Sequence, residues 1–111
     1  MSIDYRRQRA VADGQIRRWG QQTKLKRGDA TRDCWALEVQ LSATERRALK
    51  NPTNRVFLIS AVGLDVPPSE KQDALLWTEE DGTQRVFRQD APVSPLQPGD
   101  LVIYYEIQVQ G

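Results

Sequence analysis

The chain contains no histidine and a single cysteine, Cys34. Without an imidazole, Ser-His-Asp and Cys-His catalysis are excluded. A zinc site of the usual nitrogen and sulfur type has no ligand set. One thiol forbids an internal disulfide and fits folding in a reducing cytoplasm. The acidic residues do not fall at a calcium-loop spacing. No apolar run approaches the roughly 20 residues that a membrane-crossing helix needs, so no membrane partner is expected. The opening "MSIDYRRQRA" has basic residues but no apolar stretch behind them, so no secretory signal is expected either. No catalytic residue, cofactor or metal ligand is assigned, and an enzyme is not expected.

What is present suits one folded domain spanning residues 1–111. A chain of this length removes roughly two-thirds of its unfolded surface from water, enough for one core without staples. The charge is uneven. Residues 1–27 hold eight Lys/Arg against Asp4 and Asp13, a net +6, and the remainder holds eight basic and thirteen acidic residues, a net −5. Such a two-ended chain suits a partner of opposite sign, or its own copies head to tail.

The segment "IDYRRQRAVADGQIRRWGQ" has helical periodicity, and a basic helix is expected over residues 3–20. Tyr5, Ala12, Ile16 and Trp19 form one narrow apolar stripe. Gly14 weakens the helix by roughly 1 kcal/mol relative to alanine, and Gly20 is a suitable stop. So few apolar residues give a shallow contact. The arginines Arg6, Arg7, Arg9, Arg17 and Arg18, with Trp19, are the candidate interface to a partner or to DNA. The plainer reading of the arginines is a solvated helix face, and Trp19 is expected to cover the domain.

From residue 22 the period changes to two. "CWALEVQL" places Trp35, Leu37, Val39 and Leu41 on one face and Cys34, Ala36, Glu38 and Gln40 on the other. "LVIYYEIQV" directs Leu101, Ile103, Tyr105, Ile107 and Val109 inward, leaving Tyr104 on the other face as a candidate subunit seam. "RVFLISAV" is apolar on both faces, as in a strand covered on both sides. "ALLW" and "RVF" flank "TEEDGT", where Asp81-Gly82 marks a hairpin. "VPPSE" and "QPGD" are turns, and "TKLKR" is a further short strand. Trp35, Trp77 and Phe87 are expected in the core, and Cys34 is expected to be a small half-buried apolar residue. The fold class is mainly β: a small barrel or sandwich of about five to six short antiparallel strands over residues 22–109, preceded by the helix.

Between two of these strands lies "SATERRALKNPT", residues 42–53. Ser42-Ala43-Thr44-Glu45 is a capping box, and Asn51-Pro52 ends the short helix that follows. Its apolar residues are few, so it is expected to leave the barrel as a polar excursion. Connections usually take about 4–6 residues, and longer ones are often functional.

This order of elements resembles the head-closure proteins (head–tail joining, or stopper, proteins) of tailed bacteriophages. The matching features are the strand ending "VQLS", the excursion "ATERRALKNPTNRVFLI", then "DALLW…DGTQRVF" and a closing strand. The resemblance covers most of residues 22–109 through short, degenerate motifs. It implies a small β-barrel that assembles as a homo-oligomeric ring beneath the portal or connector (adaptor) protein, in the virion neck after assembly in the host bacterial cytoplasm. The tail-terminator or tail-completion protein would dock on that ring. The excursion would project toward the channel and help retain packaged DNA. Ser42, Thr44, Glu45, Arg46, Arg47, Lys50 and Asn51 are then the channel-loop candidates, with Arg46, Arg47 and Lys50 facing DNA.

Two features depart from the family pattern: the long arginine-rich helix and the full loop "VPPSEKQD". They keep open a role in tail completion. A different class of reading is a small β-barrel nucleic-acid-binding module that uses the arginine helix. Strand aromatics interleaved with bases on an exposed face would favour it, whereas here the strand aromatics fall mostly on apolar faces. A small β-fold enzyme ranks third.

Overall fold

A computed structural model describes residues 4–64, 66–69 and 71–110. It has the expected fold class: helix α1 (Arg6–Trp19), strands β1 (Gln21–Arg27) and β2 (Ala30–Val39), the short helix α2 (Ala43–Arg47), and strands β3 (Arg55–Ser60), β4 (Ala74–Thr78), β5 (Gln84–Arg88), β6 (Ser94–Leu96) and β7 (Tyr104–Val109). Seven strands form one antiparallel sheet in the order β5-β4-β1-β2-β3-β7-β6. That exceeds the five to six expected, because "SPL" pairs as a short edge strand that its proline and length had not suggested. The expected helix began at residue 3, which lies outside the described residues, as does Glu70 in the turn "VPPSE".

The sheet curls until the end of edge strand β5 touches β7. Gln89 bridges to Val109, Asp90 N–H donates to the Gln108 carbonyl at 2.8 Å, and Gln110 N–H donates to the Arg88 carbonyl at 3.3 Å. Inside the curl lie Leu25, Cys34, Ala36, Phe57, Ile59, Leu75, Trp77, Phe87, Tyr105, Ile107 and Val109. Phe57 is central, edge-on to Trp77 at 4.7 Å and tilted against Phe87 at 5.8 Å, within the range where aromatic pairs add to area burial. In the β4–β5 turn Gly82 takes φ +87°, and the Asp81 carboxylate accepts from Thr83 N–H at 2.9 Å, so the Asp-Gly signal acts as expected.

The facing of β2 is the reverse of the hydropathy reading. Cys34 (6% exposed) and Ala36 (0%) point into the core, while Trp35, Leu37 and Val39 are half-buried on the outer side. The cause is α1, which lies across the outer face of β2 and β3 and supplies cover there. Arg17 lies 5.2 Å from the Trp35 ring centre, and Asp13 accepts from the Ser60 hydroxyl at 2.5 Å. Helix and strand cross so closely that a Cβ on Gly20 would fall 2.0 Å from the Ala36 carbonyl oxygen. Small residues face inward beneath this crossing, and bulky ones fill the layer under the helix.

Candidate functional site

Most α1 arginines are occupied by the chain itself. Arg6 pairs with Asp4 at 2.9 Å and Arg17 with Asp13 at 2.9 Å. Arg9 turns inward to donate to the Ala61 carbonyl at 2.9 Å, pinning the helix to the end of β3. Arg7 and Arg18 have no carboxylate partner among the described residues. They are eleven residues apart, which places them on one helix face. Trp19 does not cover the barrel: it is 68% exposed, with Arg18 5.1 Å from its ring centre. Of the apolar stripe only Ile16 is buried.

The excursion between β2 and β3 is built as the capping box predicts. Ser42 Oγ accepts from Glu45 N–H at 3.2 Å and the Glu45 carboxylate accepts from Ser42 N–H at 3.1 Å. These bonds to Ser42 hold the Glu45 pKa below its ordinary value. No residue of α2 is buried. Asn51 closes the far side: its side-chain oxygen accepts from Thr53 N–H (3.1 Å) and Thr53 Oγ1 (2.9 Å). Two of the three cations expected to face DNA also hold the loop. Arg46 donates to the Asn54 carbonyl at 3.3 Å; Lys50 N–H donates to Gln108 at 3.3 Å, and its ammonium sits 3.7 Å from Asp90. Thr44 and Arg47 are exposed on α2. The return is anchored by Asn54, fully buried, whose side-chain amide donates to Asp90 at 3.0 Å. That bond leads the causes that lower the Asp90 pKa.

Two ionic clusters lay beyond sequence reasoning because both depend on strand register. At one end of the curl Arg55 donates to Glu38 at 2.6 and 2.7 Å and pairs with Glu79 at 2.9 Å. The Glu38 bond chiefly raises the Arg55 pKa. These groups floor an open hollow of about 850 Å³ rimmed by Trp19, Trp77, Glu80 and Asp81. Near the other end of β4 the Asp73 side chain is fully buried, 2.8 Å from Arg27 and 3.1 Å from Arg32, and accepts from Ser69 N–H at 2.7 Å. Arg32 also donates to the Val66 carbonyl. Among the described residues no three His, Cys, Asp or Glu side chains converge as metal ligands.

No family model, no curated protein and no solved structure matches this chain.

Proposed function

We propose that the protein is a structural component of a tailed-phage or prophage neck, joining head to tail and closing the DNA channel by ring assembly on the portal or connector. The observation that supports this reading best is the excursion at residues 42–53. It has its own capping box, a bonded closing turn and a buried anchor in Asn54, yet α2 buries no side chain. A connection serving only to join β2 to β3 needs no such construction, whereas a shaped projection suits contact with a neighbour or with DNA. The order of elements along the chain, with the excursion between β2 and β3, is the feature on which the resemblance to head-closure proteins rests.

The test is co-sedimentation of the purified protein with DNA-filled, tailless heads that lack it, beside a free-duplex control at matched salt. Saturable binding to heads is the expected result. Replacing residues 43–51 by a short Gly-Ser link should leave the β-sheet signature intact while complemented particles leak DNA. Absence of head binding, or an excised protein that does not fold, overturns the reading. Recovery on isolated tails in place of heads would instead assign it to tail completion.

A further inference from the structure

The fold redistributes the cationic surface. With Arg6, Arg9 and Arg17 held by the chain itself, another basic cluster stands out on the strands. Lys26 of β1, Lys71 in the turn before β4 and Arg88 of β5 line one hollow of about 440 Å³, together with Gly28, Ala74 and Val86. Lys26 pairs in register with Ala74, and Ala74 with Arg88. The two cations therefore flank β4 across two inter-strand steps, roughly 10 Å apart at the backbone. Neither has a carboxylate partner among the described residues. Lys24, two residues before Lys26 and roughly 7 Å away along the strand, extends the row. Its ammonium pairs with Asp33 at 3.1 Å, an exposed and therefore weak pair, as is that of Arg6 with Asp4.

Asp73 also lines this hollow, but its carboxylate is saturated. It is fully buried and takes bonds from Arg27, Arg32 and Ser69 N–H, so the Asp73–Arg27–Arg32 group carries net positive charge. The acidic residues Glu79, Glu80 and Asp81 follow the opposite end of β4, beyond a run from Ala74 to Thr78 of roughly 13 Å. In sequence this patch is invisible: Lys26 belongs to the basic first quarter, Lys71 and Arg88 to the acidic remainder.

We propose that the Lys26–Lys71–Arg88 hollow, extended by Lys24, is a binding site for the phosphates of duplex DNA. Lysines spaced along a strand match the repeat of successive phosphates, and long stems let their ammonium groups follow a backbone. Among the described residues no aromatic side chain lines the hollow, so contact is with the backbone, independent of sequence, rather than by base stacking. Exposed Val86 offers an apolar rim for a sugar. The inference is independent of the neck reading, because a protein that binds heads through other surfaces does so whether or not this patch meets DNA.

The experiment is fluorescence anisotropy of a short labelled random-sequence duplex titrated with the full chain between about 50 and 200 mM salt. Four proteins are compared: the unaltered chain, Lys26→Gln/Arg88→Gln, Lys26→Glu/Arg88→Glu, and Arg7→Gln/Arg18→Gln as the helix control. Lys26 and Arg88 are exposed, and circular dichroism checks that each variant folds. The unaltered chain is expected to bind with a negative salt slope. The Lys26/Arg88 glutamine pair should lose about 10- to 100-fold in affinity at 0.1 M salt and flatten the slope by roughly 1.8, that is 0.9 per lost phosphate contact. The glutamate pair should lose more, and the helix control less. No duplex binding at the lowest salt, or an unchanged slope in the Lys26/Arg88 variants, overturns the proposal. So does inorganic tripolyphosphate competing as well as DNA at equal phosphate, which would mark a site for free polyphosphate. Salt-sensitive self-association of the unaltered chain in sedimentation, lost in the Lys26/Arg88 variants without any DNA binding, would assign the patch to contact between copies and likewise overturn it.

Discussion

The guanidinium of Arg55 lies 4.8 Å from the centre of the Phe87 ring, so the cation that gathers Glu38 and Glu79 also lids the aromatic core. Arg55 and Phe87 come from strands at different places in the sheet order, β3 and β5, and meet only because the sheet curls. The curl thus closes one end of the barrel with charge laid over apolar surface. Arg85, two residues before Phe87 on β5, lies 4.8 Å from the centre of the same ring.

Arg55→Met should therefore destabilise the fold. The substitution keeps much of the side-chain volume but leaves Glu38 and Glu79, each about one-quarter exposed, facing one another without their cation. Removing one partner of a fully buried pair costs about 3–5 kcal/mol; partial exposure here lowers the expectation to about 2–3 kcal/mol. The urea midpoint should fall at unchanged slope. Adding Glu38→Gln and Glu79→Gln should recover most of the loss, since removing all the charges leaves no unpaired group. A triple variant no more stable than Arg55→Met would show that the arginine acts through packing on Phe87 alone.

Asp73 sets an acid limit. Burial by itself raises its pKa, but the hydrogen bond from Arg27, the Ser69 N–H and the charge of Arg32 outweigh that, and the net shift is downward. A carboxyl depressed in the folded state contributes stability that is fully present above its unfolded pKa, about 3.9. That stability is lost as pH falls through the folded value. Stability should hold from neutral pH down to about pH 4 and decline below it. Asp73→Asn should lower stability at pH 7 by about 2–4 kcal/mol, by leaving Arg27 and Arg32 without their anion. Its deficit against the unaltered chain should shrink as pH drops below 4. A deficit constant across that window would remove Asp73 from the acid limit.

The elements legible in the sequence were those fixed within a few residues. The capping box of Ser42 and Glu45, the Asp81-Gly82 turn and the inward set of β7 all have local causes, and all stand in the fold; α1 also stops at Gly20, but there the backbone is extended, at φ −99°, and the glycine is required by the close crossing with β2. The facing of β2 was not legible, since alternation fixes two faces but not which one meets the core. With α1 covering the outer side, Trp35 and Leu37 find apolar surroundings there, and hydropathy alone chooses wrongly. The ionic clusters were hidden for a related reason. Glu38, Arg55 and Glu79, or Arg27, Arg32 and Asp73, are brought together only by pairing between distant strands. The basic hollow likewise needs β1 and β5 set on either side of β4.

The thiol of Cys34 should be inert in the folded protein. Burial pushes its pKa up to about 12, a rise that the nearby Arg32 opposes and that Asp33 and Asp73 reinforce. The thiolate is the reactive form, so almost none is present at pH 8, and the side chain is only 6% exposed. Reaction with a chromogenic disulfide at pH 8 should be slow in buffer and complete in strong denaturant, with a midpoint that tracks unfolding by circular dichroism. Rapid native labelling would show that β2 opens next to the core.

The two glycines of the helix region should respond to alanine with opposite signs. A Cβ on Gly14 would meet nothing within 4 Å, and the residue sits inside α1. Gly14→Ala should stabilise by about 1 kcal/mol through helix propensity and a less flexible unfolded chain. A Cβ on Gly20 would come within 2.0 Å of the Ala36 carbonyl oxygen and 2.6 Å of the Ile16 carbonyl oxygen. Both are backbone atoms, so no rotamer change relieves the contact, and either α1 lifts or β2 shifts. Gly20→Ala should cost about 2–3 kcal/mol, at the upper end of overpacking penalties, and increase the exposure of Trp35 as the helix moves away. Thermal melts with tryptophan emission test both. An unchanged melting temperature in Gly20→Ala would mean that α1 docks too loosely for the close crossing to matter. Arg9, held in the docked helix by the Ala61 carbonyl, would then be free to bind elsewhere.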